Sequence, residues 1–282
     1  MFDPSSAEPQ LIDLMHLGRA NVIGAWRVGD VIVDPGPSSC LSELLAALAR
    51  RPPRVLALTH IHLDHAGATG SLVRRFPHLE VWVHERGAAH LSDPSKLLAS
   101  ARRLYGEDMH RLWGEVLPVP ADRLRVLGGG EVVGEFEVAY TPGHASHHVS
   151  YLYRPTRRAF TGDVTGVRIG EGRVMAPTPP PDIDVEAWQA SLHVIEAWRP
   201  AALSLTHFGS YEDVADHLAA VRAALEYERE LALGSGEEGF CAAVRGAISS
   251  SGAADAAAAY EQAMPPAQSF SGLRRYLDRR RA

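Results

Sequence analysis

The sequence has few cysteines, no long apolar run and no excess of basic residues. Its 282 residues include two cysteines, Cys40 and Cys241, which are far apart and form no C-x-x-C pair. This argues against a disulfide framework and against a zinc site built from cysteine, and free thiols are typical of the cytoplasm. No stretch of about 18 uninterrupted apolar residues occurs, so we expect no membrane-spanning helix.

The charge balance and composition narrow the class of protein further. The sequence has 28 basic and 34 acidic residues, and this net charge of −6 argues against a basic face for nucleic acid. Residues 1–10 are polar and lack the basic-then-apolar order of a secretory signal peptide. Hydrophobic residues make up 46% of the chain, which suits a globular protein with a normal core. We therefore expect a cytoplasmic protein without a membrane or nucleic-acid partner.

Short apolar runs alternate with helical patterns through the first 205 residues, which indicates the α/β class. The runs predict two short strands within 21–33, the second at 30–33, and further strands at 55–58, 81–83, 135–140, 149–153, 158–160 and 202–205. Apolar spacing of i, i+3, i+4 and i+7 predicts helices at 41–48, 68–76 and 185–198.

The composition changes after His207. An apolar stripe predicts a long helix at 213–233, and the alanine-rich remainder is also predicted to be helical. We expect a catalytic domain over residues 1–210, with a helical insertion at about 93–117, and a C-terminal helical region over 211–282.

The strongest chemical signal is the H-x-H-x-D-H motif of His60, His62, Asp64 and His65, directly after a predicted strand. Residues two apart in an extended chain point the same way, so His60 and His62 can converge, and Asp64 and His65 follow as the chain turns. Three imidazoles and a carboxylate are costly to bury unless they bind something. Divalent metals such as zinc prefer these ligand types, so the motif predicts a metal site.

Three later residues also follow predicted strands, where an α/β scaffold gathers its site residues. They are His144 after Gly143, Asp163 after Gly162, and His207 after Thr206. Alone, each histidine is more often a surface or hydrogen-bonded residue, and the aspartate is more often part of a turn. Beside the motif, all three become candidate ligands.

These residues, in this order, resemble the metallo-β-lactamase superfamily over roughly residues 15–210. The resemblance implies a four-layer αβ/βα sandwich with the site at one edge of two sheets. It implies a first metal on His60, His62 and His144, a second on Asp64, His65 and His207, and Asp163 between them. Asp34 matches a common position behind the ligands, and His148 is either a similar supporting residue or simply structural.

Branches of the superfamily can be compared at single positions. Asp163 stands where some β-lactamases have a cysteine ligand, which argues against that branch. His62 stands where diiron oxygen reductases have glutamate, which argues against that branch as well. Gly166 stands where homoserine lactone lactonases often have tyrosine. Hydroxyacylglutathione hydrolases share the full ligand set, whereas the nucleases need a basic surface. The substrate stays open among small-molecule esters, thioesters, lactones and phosphoesters.

The segment 93–117 looks like a helical insertion of an uncharacterised bacterial subgroup, in which Tyr105, Met109 and Trp113 either line a pocket or form the core of the insertion.

Two divalent metals, with zinc expected and iron or manganese as alternatives, would lower the pKa of a bridging water and provide hydroxide. Asp64 would be the catalytic residue that orients the nucleophile and moves its proton. The alternatives are a mononuclear-iron thiol (persulfide) dioxygenase and a non-catalytic metal-binding protein. The oligomeric state stays open, with a homodimer as one option.

Overall fold

A computed structural model describes residues 8–49, 51–250 and 256–281. Most of the N-terminal stretch considered above, and residues 251–255 of the alanine-rich segment, lie outside this range. Within it, no helix has both the length and the apolar character needed to cross a membrane.

The first sheet of the described chain has six strands in sequential order. The strands β3 to β6 are parallel, and β1 and β2 join them in antiparallel pairs. The strands are β1 (Gln10–Asp13), β2 (Gly24–Val28), β3 (Val31–Val33), β4 (Val55–Ala57), β5 (Glu80–His84) and β6 (Leu124–Leu127).

The second sheet has six strands in the order β12-β11-β10-β9-β8-β7. Only β10 and β11 are parallel, while the other neighbours are antiparallel. The strands are β7 (Val132–Val133), β8 (Phe136–Tyr140), β9 (Val149–Tyr153), β10 (Arg158–Phe160), β11 (Ala202–Leu205) and β12 (Gly209–Tyr211).

Helices precede, separate and follow the strands of both sheets. They are α1 (Leu41–Ala47), α2 (Leu63–Ala66), α3 (Thr69–Arg75), α4 (Glu85–Ser92), α5 (Ser95–Tyr105), α6 (Met109–Trp113), α7 (Val185–Trp198), α8 (Val214–Gly234), α9 (Glu237–Ser250), α10 (Ala257–Ala263) and α11 (Pro266–Arg281). Helix α11 packs against both α8 and α9.

Alternation along the strands sorts the buried side chains into two cores, because successive residues of a strand face opposite sides of its sheet. Trp82 and Tyr151 belong to the core between the sheets, whereas Leu56 and Leu203 pack with the helices outside. The result is the four-layer αβ/βα sandwich predicted above.

All the predicted strands are present, and the segment 93–117 contains α5 and α6 as expected. The sequence analysis did not predict helix α4 or four strands, which are β1, β6, β7 and β12. These four strands have two to four residues each and lie at the edges of the two sheets.

Candidate metal centre

The seven predicted ligands come together where strands of both sheets end. His60 and His62 follow β4, while Asp64 and His65 lie in the short helix α2. The other three follow β8, β10 and β11 of the second sheet; they are His144, Asp163 and His207. Because the two sheets face each other, their strand ends meet at one edge of the sandwich.

Three imidazole nitrogens form a first group. His62 Nδ1 is 3.0 Å from His60 Nε2 and 2.9 Å from His144 Nε2. Three nitrogens at this separation can be ligands of a single ion, since zinc–nitrogen bonds are about 2.0–2.1 Å long.

Asp64, His65 and His207 form a second group, whose ligand atoms lie within 4.8 Å of one another. The Asp64 Oδ2 atom is 3.8 Å from His65 Nε2 and 3.4 Å from His207 Nε2. Asp163 lies between the two groups. Its Oδ2 is 3.3 Å from His144 Nε2, and its Oδ1 is 3.2 Å from His65 Nε2.

Backbone carbonyl groups fix the tautomers of two ligands. The Nδ1 atoms of His144 and His207 are 2.9 Å from Pro177 O and 2.6 Å from Val22 O. A carbonyl oxygen only accepts, so each Nδ1 carries the hydrogen and donates it. In the neutral ring, Nε2 then presents its lone pair to the site, as a metal ligand must.

Asp34 is buried at the junction of the segments that carry the ligands. Its carboxylate accepts hydrogen bonds from Thr59 N and Oγ1, from Thr206 Oγ1 and from His65 Nδ1, at 2.7 to 3.0 Å. Its backbone is left-handed, with φ of 50°, an unfavourable conformation for a residue other than glycine. The supporting position that the resemblance implied for Asp34 is therefore occupied by a carboxylate that orients His65 and connects both sheets.

Burial and charge prepare these groups for a cation. Burial, and then neighbouring imidazoles, holds the pKa of His60 well below its ordinary value, and burial lowers that of His62 to about 4. Burial opposes ionisation of Asp163, but His65 and His207 outweigh it and hold the Asp163 pKa well below its usual range. The first group therefore offers neutral imidazoles. In the second group, Asp163 and Asp64 outweigh burial and raise the pKa of His65 and His207, so a bound cation would replace a proton there.

Several ligand atoms are buried without a hydrogen-bond partner, namely His65 Nε2, His207 Nε2 and Asp163 Oδ1. A buried polar atom without a partner costs roughly 1–3 kcal/mol, so such atoms need an explanation. All three point into the cluster. A divalent cation would satisfy them together, and the donor set of imidazoles and carboxylates fits zinc, iron or manganese.

Two further histidines lie beside the first group. His148 is fully buried, its ring lies 5.0 Å from that of His60, and its Nδ1 is 2.9 Å from Thr141 Oγ1. His148 thus packs beside His60, but its Nδ1 contacts Thr141 and its Nε2 has no hydrogen-bond partner, so neither ring nitrogen orients a predicted ligand. His147, which is not among the ligands predicted from the sequence, accepts a hydrogen bond from Ile61 N and lies beside His60. No sequence pattern distinguishes this histidine from a solvated one.

Gly162, directly before Asp163, is required by the packing. Its φ is +48°, and a Cβ there would lie 2.4 Å from Thr59 Oγ1 and 2.8 Å from His148 Nε2. Only glycine lets the backbone approach this closely while keeping a left-handed conformation. The tight turn at Gly162 thus places the Asp163 side chain between the two ligand groups.

A cavity of about 400 Å³ opens from the ligand cluster, with His62, Asp64 and Asp163 at its inner end. Residues of α5 and α6 form one wall, and residues 262–275 form the other, with prolines 177 and 179–181 between them. Tyr105 and Trp113 line the cavity, as one interpretation of the sequence suggested. Met109 does not line it and packs against the hydrophobic core instead.

His16 connects the two walls of this cavity. Its Nε2 is 2.9 Å from Leu112 O, and its Nδ1 is 2.9 Å from Gln262 Nε2. Because the carbonyl only accepts, Nε2 donates to Leu112 and Nδ1 accepts from Gln262. The ring also stacks on Trp113, with centroids 5.5 Å apart.

A family model described as the metallo-beta-lactamase superfamily matches residues 29–207, which include all seven clustered side chains. The chain belongs to the metallo-β-lactamase superfamily. The match ends at His207, so α8 to α11 lie beyond it.

Relatives within the superfamily carry several different names. The chain is 29% identical to a metallo-beta-lactamase fold-containing protein of Sulfurisphaera tokodaii, over 64% of this chain and 68% of the relative. It is 36% identical to a probable metallo-hydrolase of Bacillus subtilis, over 48% and 60% of the two chains. It is 30% identical to a hydroxyacylglutathione hydrolase of Aeromonas hydrophila, over 53% and 47%. The chain thus spans less than two thirds of the latter two.

Solved structures of the superfamily share the fold. An archaeal member from Sulfolobus tokodaii superposes with a TM-score of 0.63 at 23% identity, covering 82% of this chain and 88% of that chain. A family protein from Thermus thermophilus superposes with a TM-score of 0.63 at 18% identity, covering 97% and 93%. The second match extends over nearly the whole of both chains, so the C-terminal helices are part of the shared fold.

Proposed function

We propose that the chain is a metal-dependent hydrolase with a dinuclear site. The observation that carries the proposal is Asp163, whose two carboxylate oxygens face different ligand groups, one towards His144 and one towards His65. A carboxylate in this position can link two cations a few Å apart, as in other two-metal hydrolases. Zinc is the proposed cation, and iron and manganese are the alternatives with the same ligand preferences.

Each ligand has a proposed place. The first cation would be held by His60, His62 and His144, the second by Asp64, His65 and His207, and both by Asp163. When bound, two such cations lower the pKa of a coordinated water and polarise a scissile carbonyl or phosphoryl group.

Asp64 is the proposed catalytic residue. It lines the cavity, and its side chain is 20% exposed, compared with 5% for Asp163. A carboxylate at this wall can accept the proton of the attacking water and pass it to the departing oxygen or sulfur. The bond to the leaving group breaks, and the acid product remains at the inner end of the cavity.

The proposed substrates are small molecules with an ester, thioester, lactone or phosphoester bond. A cavity of about 400 Å³ is in the size range of small-molecule sites. The names of two relatives, a probable metallo-hydrolase and a hydroxyacylglutathione hydrolase, agree with hydrolysis.

Metal content measured together with activity tests this proposal. We expect about two divalent ions per purified chain and turnover of at least one class in a panel of esters, thioesters, lactones and phosphodiesters. His207→Ala should lose one ion and most activity, while His193→Ala, an exposed histidine on α7, should lose neither. One iron per chain with oxygen uptake on thiol or persulfide substrates would instead indicate the dioxygenase. Two bound ions without any turnover would indicate the non-catalytic alternative.

A further inference from the structure

The cavity beside the ligand cluster has acidic groups at one end and basic groups at the other. Among its described lining residues, the carboxylates are those of Asp64 and Asp163, and the guanidinium groups are those of Arg103 and Arg275. Arg103 lies on α5 and Arg275 on α11, so each wall contributes one arginine. Both arginines are exposed, whereas Asp163 is buried, which places the arginines at the mouth.

The section between the two ends is largely apolar. Three of its polar side chains have protein partners: Gln262 donates to His16, Ser269 pairs with Thr178, and Gln268 accepts from Tyr105 at 3.5 Å. Trp113 Nε1 is buried without a partner, and Ser100 and Ser271 also lie on the lining, so a polar ligand group would find few partners in this section. Its apolar surface comes from Leu97, Ala101, Leu104, Leu112, Trp113 and Met264.

The two arginines at the mouth have no carboxylate partner, in contrast to two other arginines of the same walls. Arg111 pairs with Asp108 at 3.0 Å, and Arg274 pairs with Asp278 at 3.4 Å. Within the described part of the chain, neither Arg103 nor Arg275 forms an ion pair. Arg275 uses only its Nε, which donates to Pro181 O at 3.3 Å, and its terminal nitrogens stay available.

We propose that the substrate is an ester or thioester whose acyl chain is apolar and ends in an anionic group. This inference rests on the proposed function. The scissile carbonyl lies at His62, Asp64 and Asp163, the chain runs along the apolar section, and the anion lies at the mouth between the arginines. Guanidinium groups pair with carboxylates through two parallel hydrogen bonds, which suits them to this end of the substrate.

The kinetic test compares esters that differ only in the terminal charge. The probes are 4-nitrophenyl monoesters of butanedioic, hexanedioic and octanedioic acid, each beside the neutral 4-nitrophenyl ester of the same chain length. With the metal-loaded enzyme, we expect kcat/KM to favour the charged ester by about fivefold or more at the best length, the factor typical of an exposed ion pair worth about 1 kcal/mol.

Substitutions at the mouth identify the source of the preference. Arg103→Gln should lower the preference for the charged ester, and Arg103→Glu should reverse it. Arg102→Gln is the matched control, because Arg102 is exposed on the same helix and does not line the cavity. Equal rates on charged and neutral esters at every length would overturn the inference and leave the hydrolase assignment intact.

A binding measurement separates failure of the inference from failure of the proposed function. Octanedioate should raise the melting temperature of the metal-loaded protein more than octanoate does, and Arg103→Glu should abolish that difference. This outcome supports the anion site even if none of the esters is hydrolysed, in which case ester hydrolysis itself would be rejected. Equal stabilisation by the two acids would overturn the inference whether or not the esters react.

Discussion

Asp64 differs from Asp163, the other clustered acid that lines the cavity, because its side chain is 20% exposed and that of Asp163 only 5%. Asp64→Asn keeps the shape and one oxygen but removes the charge and the ability to accept a proton. We expect activity on the best substrate to fall by about 10²- to 10⁴-fold, the usual effect of losing general acid–base help.

The fold of this variant should persist, because Asp64 is partly exposed and makes no contact within the hydrophobic cores. Thermal melting and metal analysis check this point. Asp182→Asn is the control, since Asp182 accepts from Ser146 and is not among the clustered ligands. Full activity of Asp64→Asn with two ions bound would show that another group moves the proton.

Glu228 is a fully buried acid on α8, and burial raises its pKa to about 8 from 4.5. Between these values the folded chain holds a proton that the unfolded chain releases. The free energy of unfolding therefore falls as the pH rises through this window, by about 1.4 kcal/mol per pH unit.

Glu228→Gln should remove this pH dependence, because the amide is neutral and its oxygen can still accept the hydrogen bond from Ala176 N. We expect equal stability of variant and parent near pH 5, and a more stable variant at pH 8. Glu226→Gln, on the exposed side of the same helix, should not show this crossover. Denaturant titrations at both pH values measure it, and a constant difference between them would contradict the assigned pKa.

Single residues were predictable from sequence where several chemical groups recur at short spacing. His60, His62, Asp64 and His65 form such a pattern, and the structure places them together with the three later candidates. His16 has no histidine near it in the sequence, and His147 lies beside His148 without a spacing that indicates a role. Their contacts with Leu112 and Ile61 depend on tertiary packing, which no local pattern encodes.

At the level of elements, the C-terminal helices hold the chain segment that follows Asp163. His217 on α8 donates to Thr165 O, and Glu228 accepts from Ala176 N. Tyr260 on α10 accepts from Ile169 N at 3.0 Å and donates to Arg173 O at 2.7 Å. This segment leads to Pro177, whose carbonyl orients His144. The helices therefore act on the metal centre through the backbone of residues 164–178.

Tyr260→Phe tests this connection between elements. The change leaves the N–H of Ile169 and the carbonyl of Arg173 without that hydroxyl, which should cost about 1–3 kcal/mol of stability. We also expect weaker metal retention in competition with a chelator, because the segment before Pro177 loosens. Tyr227→Phe is the control, since the Tyr227 hydroxyl makes a long 3.5 Å hydrogen bond to Ala243 O on α9, and phenylalanine keeps the ring that lies under Arg173. Unchanged metal retention in Tyr260→Phe would show that the C-terminal helices do not affect metal binding at the site.

The elements that sequence analysis missed share a physical cause. Helix α4 contains Gly87, which lowers helix propensity, yet a Cβ there would lie 2.9 Å from Ile61 Cγ2. The glycine is needed for close packing, and packing determines the helix. Strands β1 and β12 are edge strands of three or four residues, and their pairing with β2 and β11 determines them.

At the scale of the molecule, the proposed ions connect segments from both sheets. A ligand that binds only the folded chain stabilises it, by about 4 kcal/mol when present at 1,000 times its dissociation constant. We expect chelation to lower the melting temperature by roughly 10 °C, with recovery when zinc is added back. His60→Ala, which removes a ligand of the first cation only, should show a smaller difference in melting temperature with and without chelator than the parent protein. An unchanged melting temperature after complete metal removal from the parent protein would contradict a structural contribution from the ions.

The link through His16 has a consequence for how this chain can diverge. One ring donates to the α6 side of the cavity, accepts from Gln262 and stacks on Trp113, so a change at any of these positions leaves the other two mismatched. Amino-acid substitutions in the two cavity walls are therefore expected to be correlated. Among proteins that share both α6 and α10, positions 16, 113 and 262 should be exchanged as a set, and substrate preference should change in steps that coincide with those joint exchanges.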